Sequence, residues 1–235
     1  MAKKFHWLLD AGHGGLHPET NEYVTKGKRS PKFPNSSKFS GEVLFEGVKN
    51  RRVLESLTKL LSQYKIKYTI ISDDWIDLPL TDRVIKANNI SENTPNCIYL
   101  SIHHNAYKKD WNNANGLETF HYPKSDKGFK IASVFQRNLI EEMEWKDRGI
   151  KSANFYILKY TSMPSILTEC GLLFASALIM GFFIYLIIKY ILETVSVQVK
   201  IMHAIINLLD NWVKTKKYEL HSLRFILSTS YNLNK

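Results

Sequence analysis

Four residues of this chain, His13, Glu46, His103 and Glu169, have the types and settings that metal-assisted hydrolysis needs. A catalytic zinc ion takes three protein ligands, imidazole nitrogen or carboxylate oxygen, and keeps a fourth position for water. His13 stands between Gly12 and Gly14 in "LLDAGHGG", at the end of a short apolar run. Strand ends in α/β sheets are where ligand sites form, and flanking glycines let a bound group approach the backbone; a plain turn histidine is the competing reading. Glu46 opens a helical pattern, where the helix dipole alone also favours a carboxylate. His103 and His104 are neighbours in "YLSIHHNA". Adjacent strand side chains point to opposite faces, so one of the two can face a metal while the other packs or meets solvent. Glu169 closes the apolar run "PSILTE". A carboxylate there needs a partner or a function. Either a cation such as Arg83 or Lys151 satisfies it, or it stays free beside a water as general base and then returns the proton to a leaving amine. His6, His17, His121, His203 and His221 show no partner pattern and are expected to be structural or exposed.

The elements that must carry these residues can be read from periodicity. Phe5 to Leu9 reads as a buried strand running into a glycine-rich turn. Residues 16–44 are rich in Lys, Ser, Pro, Gly and Asn and form a long loop. From Glu46, an apolar stripe of Val48, Val53, Leu54, Leu57, Leu60 and Leu61 predicts a helix. Strands are predicted at 68–71, 97–105, 116–122, 155–158 and 165–169. Helices are predicted at 80–90, with Thr81 as N-cap, at 126–143 and at 194–213. Strands alternating with helices predict one α/β domain.

Bulk properties narrow the classes. The 235 residues suffice for one substantial domain or at most two small ones. Hydrophobic content of 44% with 23% charged residues excludes a disordered chain. A net charge of +10 favours anionic partners, and no nucleic-acid-binding motif directs that charge to RNA or DNA. Cys97 and Cys170 lie outside any CxxC motif. If their strands run parallel they stand on the order of 20 Å apart, so two free thiols are expected. The apolar run near the N-terminus is too short for a signal peptide, so synthesis in the cytoplasm without a classical export signal is expected.

Residues 170–188, "CGLLFASALIMGFFIYLII", contain no charge and approach the length of a membrane span. Three origins are open: a span, a buried core helix, or a restored reading-frame shift. The last is favoured, and it predicts an exposed apolar patch and self-association. A membrane role for 170–188 remains the alternative.

Taken together, "LLDAGHGG", "FEGVKNRRV", "LTDRVIKANN", "YLSIHHNA", "GLETF" and "GIKSANFYILKYTSMPSILTECG" resemble, in order, the zinc N-acetylmuramoyl-L-alanine amidases of the amidase-3 type. The resemblance covers residues 5–171 and returns at 194–213. It implies a three-layer α/β domain over 1–214, with a mixed, mostly parallel sheet of about six strands and helices on both faces; residues 215–235 are a basic and polar tail. It implies one zinc ion on His13, Glu46 and His103, with Glu169 catalytic. It also implies hydrolysis of the amide between N-acetylmuramic acid and L-alanine, so peptidoglycan is the expected partner. Arg83, Asn105 and Lys151 are candidate substrate contacts. The expected biology is a wall-lytic enzyme of phage or prophage type, released to the wall after cytoplasmic synthesis; a membrane-attached or decayed, inactive amidase is the alternative. The chain departs from the family in 170–192, where an acidic, hydrophilic stretch is usual. Finally, residues 16–44 lie between two expected ligands and should border the cleft, with Lys26, Lys28, Arg29, Lys32 and Lys38 holding an anionic wall.

Overall fold

The computed structural model describes residues 5–33, 35, 40–72, 74–105, 116–143 and 146–172. The chain divides into two compact units, Met1–Pro31 with Val43–Ser196 and Lys32–Glu42 with Val197–Lys235. In the second, the described residues form a short backbone pairing: Phe33 N–H donates to Glu42 C=O and Gly41 N–H to Phe33 C=O. All named elements belong to the first: β1 His6–Ala11, α1 Glu46–Gln63, β2 Tyr68–Ser72, α2 Leu80–Asn93, β3 Cys97–Asn105, β4 Leu117–His121, α3 Asp126–Met143, β5 Asp147–Ser152, α4 Tyr156–Tyr160 and β6 Ser165–Leu172.

The six strands form one sheet in the order β2-β1-β3-β6-β4-β5. Every neighbouring pair is parallel except β4 with β6, so the sheet is mixed and mostly parallel as expected. Period-two alternation divides its faces. Leu8 of β1 and Cys97 and Tyr99 of β3 share a core with Val84 and Ala87 of α2 and Ile157 of α4. The opposite parity of β3, Ile98, Leu100 and Ile102, is buried on the side where His104 meets Asn50 of α1. Further along that side, Thr119 of β4 donates to Gln136 of α3. Helices therefore cover both faces, α1 and α3 on one and α2 and α4 on the other.

Three local expectations change. Residues 155–158, expected as a strand, lie in the extended residue Phe155 and the single turn of α4. Ile157 and Leu158 go into the core while Tyr156 and Tyr160 stay exposed, a division set by helical spacing. The sixth strand is instead β5, whose polar sequence DRGIKS shows no apolar alternation because it lies at the sheet edge with both ends exposed. Thr81 does not cap α2. Pro79 occupies that position, and the Thr81 hydroxyl donates to Asp82. Cys97 and Cys170 are buried free thiols near opposite ends of the adjacent strands β3 and β6. The expected helix at 194–213, the apolar segment from 173 onward and the tail 215–235 lie outside the described residues. Among the described residues, no helix is long and apolar enough to cross a membrane.

Candidate active site

The site forms where β1, β3 and β6 end side by side and α1 begins. Parallel pairing sets Leu9 against Leu100 and His103 against Glu169, so three strands deliver His13, His103 and Glu169 to one edge of the sheet. His13 follows β1 with φ at +63°, the left-handed region that disfavours a side chain. Arg51 holds that strained backbone, its Nη1 donating to His13 C=O at 2.8 Å and to Gly47 C=O at 3.2 Å. Gly12 must be glycine: a Cβ there would stand 2.1 Å from the His103 ring. Gly47 is equally constrained, since a Cβ would fall 1.8 Å from the Gly14 carbonyl oxygen. Asn50, one helical turn after Glu46, donates from Nδ2 to Gly12 C=O at 2.8 Å and meets His104 Nδ1 through Oδ1 at 2.7 Å. The first two turns of α1 thus supply one candidate ligand and the brackets for both histidine-bearing strand ends.

Glu46 Oε1 lies 3.1 Å from His13 Nε2 and 3.0 Å from His103 Nδ1. The two imidazoles meet edge to face, with centroids 5.0 Å apart. All three donor atoms lie within 4.8 Å of one another. Burial pushes the Glu46 carboxyl up, but the bonds to His103 and His13 outweigh it and hold the group well below the usual carboxylate range. Burial likewise works to lower His103, yet the bond to Glu46 and the charge of Glu169 raise it. His104 faces the other way, into the Asn50 contact, and burial lowers it to about 4, leaving it neutral. Strand parity had assigned that division.

Glu169 sits between His103 on β3 and Glu118 on β4. Its Oε2 is buried and, among the described residues, has no hydrogen-bond partner. Burial raises it to about 7; the His103 charge opposes the rise, and the Glu46 and Glu118 charges add to it. The cations considered as its partners are engaged elsewhere. Lys151 and Arg148 both donate to Glu118, Arg148 at 2.9 Å. Arg83 lines the cleft, but its guanidinium is 2% exposed. It donates to Leu78 C=O at 2.7 Å, Ala11 C=O at 3.0 Å and Asp10 at 2.5 Å. Of Asn105 only the backbone is described, pairing with Leu172. Asp10, buried beneath the site, also accepts from Ser72 and Ser101; burial raises it, but Arg83 and these hydroxyls keep it below its ordinary value. Asp10, Asn50 and Arg51 were not singled out in the sequence. Asn50, four residues after Glu46, carried a usable signal, because it returns to the same side of the helix.

These groups open into a cleft of roughly 660 Å³. Its walls include Lys26, Gly27 and Lys28 on one segment and Leu80, Phe155, Tyr156 and Leu167 on others. A three-donor set of two imidazoles and a carboxylate suits zinc, and its incompleteness is that of a catalytic site rather than a structural one. Among the described residues the Glu169 oxygen beside it has no hydrogen-bond partner, so it is open to accept one.

Fold and site together define an α/β protein in which two histidines and a glutamate that could hold a metal ion gather beside a buried carboxyl at the edge of the sheet. Residues 8–176 match the N-acetylmuramoyl-L-alanine amidase family, and this chain belongs to it. It is 30% identical over 165 residues to the uncharacterized protein YqiI of Bacillus subtilis, covering 69% of this chain and 68% of that one. It is 36% identical over 92 residues to the N-acetylmuramoyl-L-alanine amidase LytC of B. subtilis, covering 38% of this chain but only 17% of LytC. It is 28% identical over 179 residues to the endolysin of Bacillus phage SPP1, covering 71% of this chain and 54% of that protein. Among solved structures, the N-acetylmuramoyl-L-alanine amidase of Clostridium difficile 630 superimposes with a TM-score of 0.62 at 29% identity, over 82% of this chain and 95% of that one.

Proposed function

We propose that this chain hydrolyses the amide joining N-acetylmuramic acid to L-alanine in peptidoglycan. The observation that carries the reading is the buried, partnerless Glu169 oxygen placed beside the His13, Glu46 and His103 donor set in one cleft. Membership of the amidase family and the named activities of LytC and the C. difficile protein support it. His13 Nε2, His103 Nδ1 and a Glu46 carboxylate oxygen would hold one zinc ion. When bound, zinc supplies Lewis acidity, which polarises a carbonyl and lowers the pKa of water. Glu169 accepts a proton from the attacking water as the new C–O bond forms at the lactyl carbonyl. It then delivers that proton to the alanine nitrogen as the C–N bond breaks, so a carboxylate and a free amine result. A group poised near neutrality suits both transfers.

The test is digestion of purified cell walls by the zinc-loaded chain. New alanine amino termini without new reducing sugar ends support the reading; reducing ends alone, or no release, overturn it. A lysin role of phage or prophage type, exercised after cytoplasmic synthesis, is part of the proposal, supported by the similarity to the SPP1 endolysin. Host-cell lysis that requires a co-expressed membrane-permeabilising protein is the expected result, and lysis without one overturns it.

A further inference from the structure

Two lysines in the cleft make no ion pair among the described residues and have no part in the chemistry above. Lys26 and Lys28 flank Gly27 in a tight turn: Lys28 N–H donates to Thr25 C=O, and Gly27 takes φ +88° with nothing near its would-be Cβ. The turn is fixed at both ends. The Thr25 hydroxyl accepts from Gly14 N–H at 2.8 Å and donates to Asp77 at 2.7 Å. Lys28 C=O accepts the backbone N–H of Glu46 at 3.0 Å. The anchors are thus the residue after His13 and Glu46 itself, so a turn in a long polar loop is tied to two of the three donors. Both lysines are exposed and line the cleft, and neither makes an ion pair among the described residues. Lys28 stands near enough for its charge to act on Glu169. The other basic residues of the loop do not share this placement. Arg29 donates back to Ser30 C=O, Lys32 falls in the second compact unit, and Lys38 lies outside the described residues. The cleft is also lined by the uncharged Leu80, Phe155, Tyr156 and Leu167, by Asp77, and by the buried Arg83.

We propose that Lys26 and Lys28 form a carboxylate subsite for the peptide arm of the substrate, reading the first acidic residue beyond the scissile amide. This rests on the amidase reading above and adds which part of the substrate is recognised. The cations share one cleft with the donor set. The backbone of Lys28 is joined to that of Glu46, so a group bound at the turn belongs to the part of the substrate next to the reacting bond, not to distant anions of the wall. Arg83, the other Lys or Arg lining the cleft, is buried and engaged by Asp10, Leu78 and Ala11, so an anion of the peptide arm meets its exposed cations at Lys26 and Lys28, which sets the substrate's orientation.

The experiment compares two N-acetylmuramoyl-L-alanyl peptides that differ only in whether the acidic residue after alanine bears a carboxylate or a carboxamide. Binding is measured by calorimetry on zinc-loaded Glu169→Gln protein, and kcat/KM on the unaltered chain. The carboxylate form should bind roughly three- to tenfold more tightly, the sum of two exposed ion pairs, with the same preference in KM. The preference should shrink in high salt. Lys26→Gln/Lys28→Gln should abolish it, and Lys26→Arg/Lys28→Arg should restore it, which a merely structural role would not produce. Equal binding of the two peptides, or a preference that survives the glutamine pair, overturns the subsite. Binding preference without cleavage of either peptide supports the subsite and defeats the hydrolytic reading, so the two failures are distinguishable.

Discussion

The ion pair beneath the site offers the sharpest test of how the fold holds it. Asp10 and Arg83 are 1% and 2% exposed, and Arg83 Nη1 meets Asp10 Oδ1 at 2.5 Å. Asp10 also accepts from Ser72 at 2.5 Å and Ser101 at 3.0 Å, while Arg83 ties Leu78 and Ala11 carbonyls to the pair. Asp10→Asn removes the buried carboxylate that pairs with the guanidinium, leaving the charge, among the described residues, to Asp77, which is 40% exposed and 3.3 Å away. Removing one partner of a buried pair costs about 3–5 kcal/mol. That is a large part of a typical stability of roughly 5–15 kcal/mol, and it corresponds to a drop of roughly 6–20 °C in Tm for a chain of this size. Arg83→Met should cost a similar amount, with the opposite pH trend. In the unaltered chain the Asp10 carboxyl lies below its ordinary value, so its contribution is present at neutral pH and lost as pH falls through the folded value. Without Arg83, burial, the largest influence on Asp10, raises it; the stability of that variant then falls as pH rises. Replacing both, as Asp10→Asn/Arg83→Met, removes both charges together and should cost less than the two single losses summed, by about 1–3 kcal/mol. Urea unfolding at several pH values measures all four proteins. A loss below about 1 kcal/mol for Asp10→Asn, or strict additivity in the double variant, refutes the argument that an uncompensated buried charge sets the cost.

Zinc stoichiometry by elemental analysis should be one per chain and fall toward zero in His13→Ala and His103→Ala; full retention in either would move the site elsewhere. Glu169→Gln should keep its zinc and lose roughly 10²–10⁴-fold in turnover, and near-full activity would show that another group moves the proton. His104, lowered to about 4 by burial from an ordinary 6.5, stays neutral in the fold while the unfolded chain takes up a proton. Its contribution is therefore present above about pH 6.5 and lost as pH falls toward 4, a total of about 3 kcal/mol. The difference in urea stability between the unaltered chain and His104→Gln should shrink by that amount over this range, and a flat difference would contradict it.

Much of the site was legible in the order of residues. Gly12 and Gly14 around His13 announced a close approach, and the His103 ring fills the space a Cβ at Gly12 would need. Strand parity alone separated His103 from His104, because the alternation is a property of extended backbone and needs no partner strand. Long amphipathic helices such as α1 and α3 declared themselves through repeated apolar spacing. The five-residue helix α4 and the polar edge strand β5 did not, since one turn or one edge strand carries too few buried positions to show a period. The electrostatics lay beyond the sequence altogether. That Glu169 keeps a partnerless oxygen, while Lys151 goes to Glu118 and Arg83 to an aspartate 73 residues away, follows from which strands lie side by side. The placement of the turn lysines beside Gly27 depends in the same way on where α1 begins. Local pattern names the residues able to do chemistry; the order and register of the sheet decide which charges meet, because those contacts join segments far apart in the chain.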